Sequence, residues 1–202
     1  MPRKAYPARM LRMLAAIALA LPTGVPAAAA QEVPVNIVRQ LPPGYTILRA
    51  AAATFGTPAH RFYFIALGRR QETAMSPDAQ PRPLLIFARR ADGSYTLAAR
   101  NDHVVLRADQ GGQCDPFEDG AIVAKGMYVT IENSIACGFH WTHYVTFRFD
   151  PRLGWVFDTL RTESWTPNPR DDGDALVSEG MHVVRAVAGR PVRFAAWRAP
   201  GE

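Results

Sequence analysis

Beyond its first thirty residues the chain has a single lysine, Lys125, so almost all of its positive charge is arginine. Arginine pairs with carboxylates and aromatic faces. The basic residues stand singly or in pairs, such as Arg69-Arg70 and Arg89-Arg90. No basic stripe follows a phosphate backbone, so nucleic acid is not an expected partner. Only two cysteines occur among 202 residues, which excludes a cysteine-dense scaffold. No apolar run reaches the length of about 20 residues that a spanning helix requires. No serine sits in a Gly-x-Ser-x-Gly elbow. Past residue 30, no window keeps a helical apolar stripe for three turns. Repeats of fixed period are also missing.

What is present begins with a basic, then apolar, N-terminus. Arg3, Lys4, Arg9 and Arg12 precede an apolar run of nine residues, Met13 to Leu21. A Pro-Thr-Gly-Val-Pro breaker and four alanines follow, so residues 1–30 read as a secretory signal peptide cleaved between Ala30 and Gln31. Cleavage changes the charge balance. The segment holds four of the 23 basic residues and none of the 18 acidic ones, leaving 19 against 18. The overall formal charge of +5 therefore belongs mainly to the leader, and the remainder is nearly neutral. Residues 31–202 are expected to form one domain, soluble and not inserted in a membrane, in the periplasm or outside the cell. In that compartment Cys114 and Cys137 are expected to form a disulfide.

The apolar pattern past residue 30 has mostly a period of two. Tyr45–Ala50, Arg61–Leu67, Leu84–Arg89, Tyr95–Arg100 and Val104–Arg107 read as strands. So do Met127–Glu132, Tyr144–Phe149, Trp155–Arg161, Met181–Val187 and Val192–Trp197. Phe62–Leu67 is apolar on both faces, as a central strand would be. Asp92-Gly93 and Asp150–Gly154 are hairpin turns by composition. A loop is expected at about 166–180, and a C-terminal hairpin around Ala188–Pro191. The predicted fold is mainly β: an antiparallel sandwich or strongly bent sheet of about ten short strands with one disulfide.

Candidate chemistry gathers around the cysteines. Cys137-Gly-Phe-His140-Trp-Thr-His143, with Cys114 upstream, contains zinc-ligand residue types. An oxidising compartment removes the two thiolates, however, and residues 140 and 143 of a strand point to opposite faces. The segment Asp109–Gly120 carries four carboxylates but lacks the alternating acidic run of a dedicated calcium loop. Tyr128, Trp141, Tyr144, Trp155 and Trp165 offer material for a β core or for a platform that stacks a sugar or peptide. Trp141 is the best exposed candidate by its polar neighbours.

Four segments carry a resemblance: Arg82-Pro-Leu-Leu-Ile-Phe87, Gly111-Gly112-x-Cys-Asp-Pro-Phe117, His140-Trp141, and Thr146-Phe-Arg-Phe-Asp150. In that order, over residues 45–162, they resemble a family of exported bacterial proteins that carries no established activity. The resemblance implies export and a β fold. In some relatives the front part resembles an FG-GAP-type segment with a calcium-binding loop. The matching stretch here, Ala53–His60, has no carboxylate.

The resulting expectation is a domain, disulfide-stapled and non-enzymatic, that binds an envelope or extracellular ligand and needs no cofactor. Its binding surface is expected at His140, Trp141, His143, Tyr144 and Asp115, which the disulfide would bring together. The alternative is a metal-dependent hydrolase using His140, His143 and one of Asp115, Glu118 or Asp119.

Overall fold

A computed structural model describes residues 32–170 and 173–201 of the chain. The expected signal peptide, residues 1–30, lies outside the described residues. Nine strands are described: β1 Tyr45–Phe55, β2 His60–Arg69, β3 Arg82–Arg89, β4 Tyr95–Val105, β5 Ala121–Lys125, β6 Tyr128–Ile135, β7 His140–Asp150, β8 Gly154–Pro167 and β9 Leu176–Arg185. They form two antiparallel sheets in sequential order, β1 to β4 and β5 to β9. The fold is mainly β, as the period-two pattern implies. No helix among the described residues is long and apolar enough to cross a membrane.

The core lies between the sheets. Phe62, Phe64, Leu84 and Ile86 of the first sheet meet Val129, Ile131, Val145, Phe147, Trp155 and Phe157 of the second. Burying each such side chain contributes about 1.5–3 kcal/mol. The both-faces apolarity of β2 has a second cause. Ile65 and Leu67, with Leu85 and Phe87 of β3, form a smaller cluster on the outer face, covered by Ile37 from the single helical turn Val35–Val38. Thus β2 and β3 are buried twice over, and their side chains read as continuous apolar runs.

Four features depart from expectation. Tyr95–Arg100 and Val104–Arg107 are one strand, β4, because its pairing with β3 runs on through register shifts rather than stopping. The strand β5 was missed; it has only five residues, none of them buried. Val192–Trp197 forms no hairpin with β9, which pairs with β8 instead. The C-terminal segment runs beside the start of β8, joined by a single bridge between Val156 and Arg193, and then turns into the short 3-10 stretch Phe194–Ala196. Its rings fill the core: Phe194 lies 4.9 Å from Phe147, and Trp197 stacks at 5.8 Å on Phe157. The loop expected at 166–180 is shorter, since β8 reaches Pro167 and β9 starts at Leu176.

Candidate functional site

The disulfide joins Cys114, in the connection between β4 and β5, to Cys137 in the turn between β6 and β7. The connection is fixed at further points. Ser134 donates its backbone N–H to Pro116 O at 2.8 Å, and the side chain of Asn133 bridges Leu106 N–H and Val104 O. Gly111 must be glycine for close approach, because a Cβ there would stand 2.9 Å from Ile135 Cγ2. Gly112 turns the chain with φ of 75°.

Both expected histidines lie on β7, and strand alternation separates them. Trp141, His143, Val145 and Phe147 face inward, whereas His140, Thr142 and Tyr144 face outward. His140 and His143 therefore do not converge on one ion. Asp115 is committed elsewhere: its carboxylate takes two bonds from Arg82 and one from Phe117 N–H. Among the described residues no group of three His, Cys, Asp or Glu side chains is placed to hold a metal. The single surface expected from the sequence is thus divided into two faces and a loop.

On the inner face the rings of Trp141 and His143 lie 4.4 Å apart, tilted by 31°. Burial holds the His143 imidazole below its ordinary pKa. On the outer face the second sheet carries an open groove of about 530 Å³, within the range of small-ligand sites. Its floor comes from β6 and β7 through Ser134, Thr142 and His140; Trp165 of β8 forms one wall, and Asp174 to Leu176 another. Cross-strand register explains the grouping, since His140 pairs with Trp165, and Thr142 lies between Ser134 and Glu163. Partners opposite one another share a face. Asn168 pins the loop wall, donating its backbone N–H to Ala175 O and its side-chain amide to Asp174 O. The buried Nδ1 of His140 has no hydrogen-bond partner among the described residues.

One step further along the outer face, Glu132, Tyr144 and Arg161 stand in register on β6, β7 and β8. The Tyr144 hydroxyl is held above its ordinary pKa, first by burial and then by the charges of Glu132 and Glu163. Beyond it, the hydroxyls of Thr130 and Thr146 bond to each other at 2.9 Å. The arrangement is a sheet face of hydroxyls, two carboxylates and the guanidinium of Arg161, with an indole at one end and Met181, Val183 and Arg185 of β9 along its edge. It can bind by stacking and hydrogen bonding. Sequence reasoning named Trp165 only as one aromatic among several, weighed Ser134 only as a nucleophile, and passed over Thr142 and Glu163. Their signal was the outward period of β6 to β8. It became readable only once the register was known.

The chain matches no family model, curated protein or solved structure among those compared with it.

Proposed function

We propose that this chain is an exported binding domain that acts in the periplasm or outside the cell, and that the outer-face groove beside the disulfide is where it binds. The observation that carries the reading is the groove itself. It is open and mainly apolar, with Ile135, Leu176 and Trp165 among its lining, and carries a few polar groups from Ser134, His140 and Thr142. It sits on strands paired on both sides and next to a turn anchored by Cys137. A site of this kind is preorganised, and preorganisation lowers the entropic cost of binding. The basic and apolar N-terminal thirty residues, the disulfide and the resemblance to exported bacterial proteins support export. The binding is read as non-enzymatic, since the outward and inward residues of β7 assemble no nucleophile with a base.

Two measurements test this reading. N-terminal sequencing of protein recovered from the periplasm or medium should begin at Gln31; recovery of the uncleaved chain in the cytoplasm overturns export. Envelope fractions passed over immobilised protein should yield a ligand that is lost from a Trp165→Ala column. Retention unaffected by that change, or stoichiometric zinc in the purified protein, overturns the binding assignment.

A further inference from the structure

Resting on that reading, we infer that the ligand is a neutral oligosaccharide lying along the outer face from Trp165 to Tyr144. Three observations on that face carry it. The first is the pairing of an aromatic wall with hydroxyls carried on paired strands. A pyranose ring has an apolar C–H face and a rim of hydroxyls, each both donor and acceptor. Trp165 supplies a surface for the first, while Thr142 and Ser134 supply partners for the second.

The second is the polar inventory beyond the groove. Glu163 adjoins Thr142 on the next strand, and Glu132 and Arg161 flank Tyr144 in register. Glu132 stands directly opposite Tyr144 on β6, and Glu163 lies diagonally from it on β8, opposite Thr142. Two acceptor carboxylates and a forked donor, on a face of little net charge, suit vicinal hydroxyls better than an anion or a polycation. The third is length. Trp165 is paired with His140, four residues before Tyr144 on β7. At about 3.3 Å per residue this separates the indole from the phenol by about 13 Å, the span of a short run of linked sugar rings. An extended peptide would instead add to an exposed sheet edge through its backbone, and this face lies across β6, β7 and β8, each paired on both sides. A lipid chain would need a continuous apolar track, which the row of Glu132, Tyr144 and Arg161 interrupts.

The test uses the purified full chain and a panel of neutral oligosaccharides of two to six units, in gluco-, manno-, galacto- and N-acetylglucosamine series, read by calorimetry or affinity electrophoresis. At least one series should bind, more tightly as length rises to fill the face. Trp165→Ala should weaken that binding at least tenfold and Trp165→Phe much less; Glu163→Gln should weaken it several-fold. Trp141→Ala, on the inner face, should leave it unchanged. Thermal melts of each variant separate loss of the site from loss of the fold. If no series binds while an envelope protein or lipid is captured in a Trp165-dependent way, the carbohydrate assignment is overturned and the binding reading stands. If nothing captured depends on Trp165, both fall.

Discussion

The guanidinium of Arg82 grips the carboxylate of Asp115 through two parallel bonds, Nη1 to Oδ1 at 2.6 Å and Nη2 to Oδ2 at 2.5 Å. The two side chains are 4% and 17% exposed. Arg82 opens β3, and Asp115 follows Cys114 in the connection between the sheets. The pair therefore ties the first sheet to the loop that the disulfide ties to the second. The third donor contact, from Nη1 to Leu106 O at 3.2 Å, adds the end of β4. Asp115 entered as a candidate binding or metal residue, and its carboxylate is engaged in holding the molecule together.

Breaking one partner of such a pair leaves a buried charge without compensation, which costs about 3–5 kcal/mol. Asp115→Asn is therefore expected to lower the unfolding free energy read from urea melts by that order, with a matching fall in the midpoint. The double change Arg82→Met with Asp115→Leu should recover much of the loss, because it removes both charges at once. Equal midpoints for wild type and Asp115→Asn would show that the pair contributes nothing.

Removing the covalent tie is a separate experiment on the same loop. Cys114 and Cys137 are 23 positions apart, and Cys114→Ser should cost about 3 kcal/mol by the chain-entropy estimate. Because Arg82 and the Ser134 to Pro116 bond still hold the loop, the native contacts should persist in the variant. Combined with Asp115→Asn, the losses should not add, since both changes act on one segment. Thiol titration of the denatured wild type should find no free thiol. Two free thiols in freshly isolated protein would contradict the oxidised state.

Two partly buried groups, His143 and Asp115, contribute to the dependence of stability on pH, beside the exposed Asp92 and Asp150, whose carboxyls are also lowered by hydrogen bonds in their turns. Burial lowers the His143 imidazole below its ordinary 6.5. For Asp115, burial alone would raise the carboxyl, but the bonds from Arg82 and Phe117 N–H, with the Arg82 charge, outweigh it and hold it below 3.8. In both cases the unfolded chain binds protons first as the pH falls, so stability decreases in that direction. The loss begins below about pH 6.5 for His143 and continues until its folded value is passed. The Asp115 contribution is complete above 3.8 and disappears as the pH drops through its folded value. A series of urea melts from pH 8 to 3 should show both declines. His143→Gln should flatten the upper one and leave the lower. An upper decline unchanged in that variant would assign it to another group.

The segments that carry the resemblance explain how far the sequence could be read. Arg82 and Asp115 come from two of them and bond to each other; Gly111 makes room for Ile135, and Phe117 and Phe147 are core residues. Thr146 bonds Thr130 across the strand pair. Those residues build the core, a strand pair and the connection between the sheets, and so they pointed to a fold and to no chemistry. Alternation alone exposed β6, β7 and β8, because one face is buried and the other is wet. It failed for β5, where Ile122 and Ala124 are only partly buried against the core and the outward Val123 is itself apolar, which blurs the alternation. It failed again at the C-terminus: Val192–Trp197 alternates well enough, yet Phe194 and Trp197 are apolar because they plug the core. The groove escaped notice for a different reason. Ser134, Thr142 and Trp165 are brought together by register across three strands, and no local spacing encodes that.

The C-terminal plug leads to the final prediction. Asn101, 2% exposed in β4, donates its side-chain amide to Phe194 O at 2.6 Å and to Trp197 O at 2.9 Å. Its Oδ1 accepts the backbone N–H of His103 at 2.7 Å, so every group of the amide is satisfied. One side chain thus clamps the segment whose rings close the core against Phe147 and Phe157. Asn101→Ala removes one donor from each carbonyl and the acceptor of His103 N–H, while Phe194 O keeps Trp197 N–H and Trp197 O keeps Arg198 Nη1, so it should cost about 0.5–1.5 kcal/mol per bond lost. Trp197→Ala opens a cavity at about 3–5 kcal/mol. Since the clamp matters only while the plug is seated, the double variant should lose less than the sum. The two mechanisms also differ in hydrogen exchange. Asn101→Ala should raise exchange at Trp197 N–H, which bonds Phe194 O, with little change in the pairs of β6 with β7. Strictly additive losses would mean that Asn101 supports β4 itself and that the C-terminal segment is held by its rings alone.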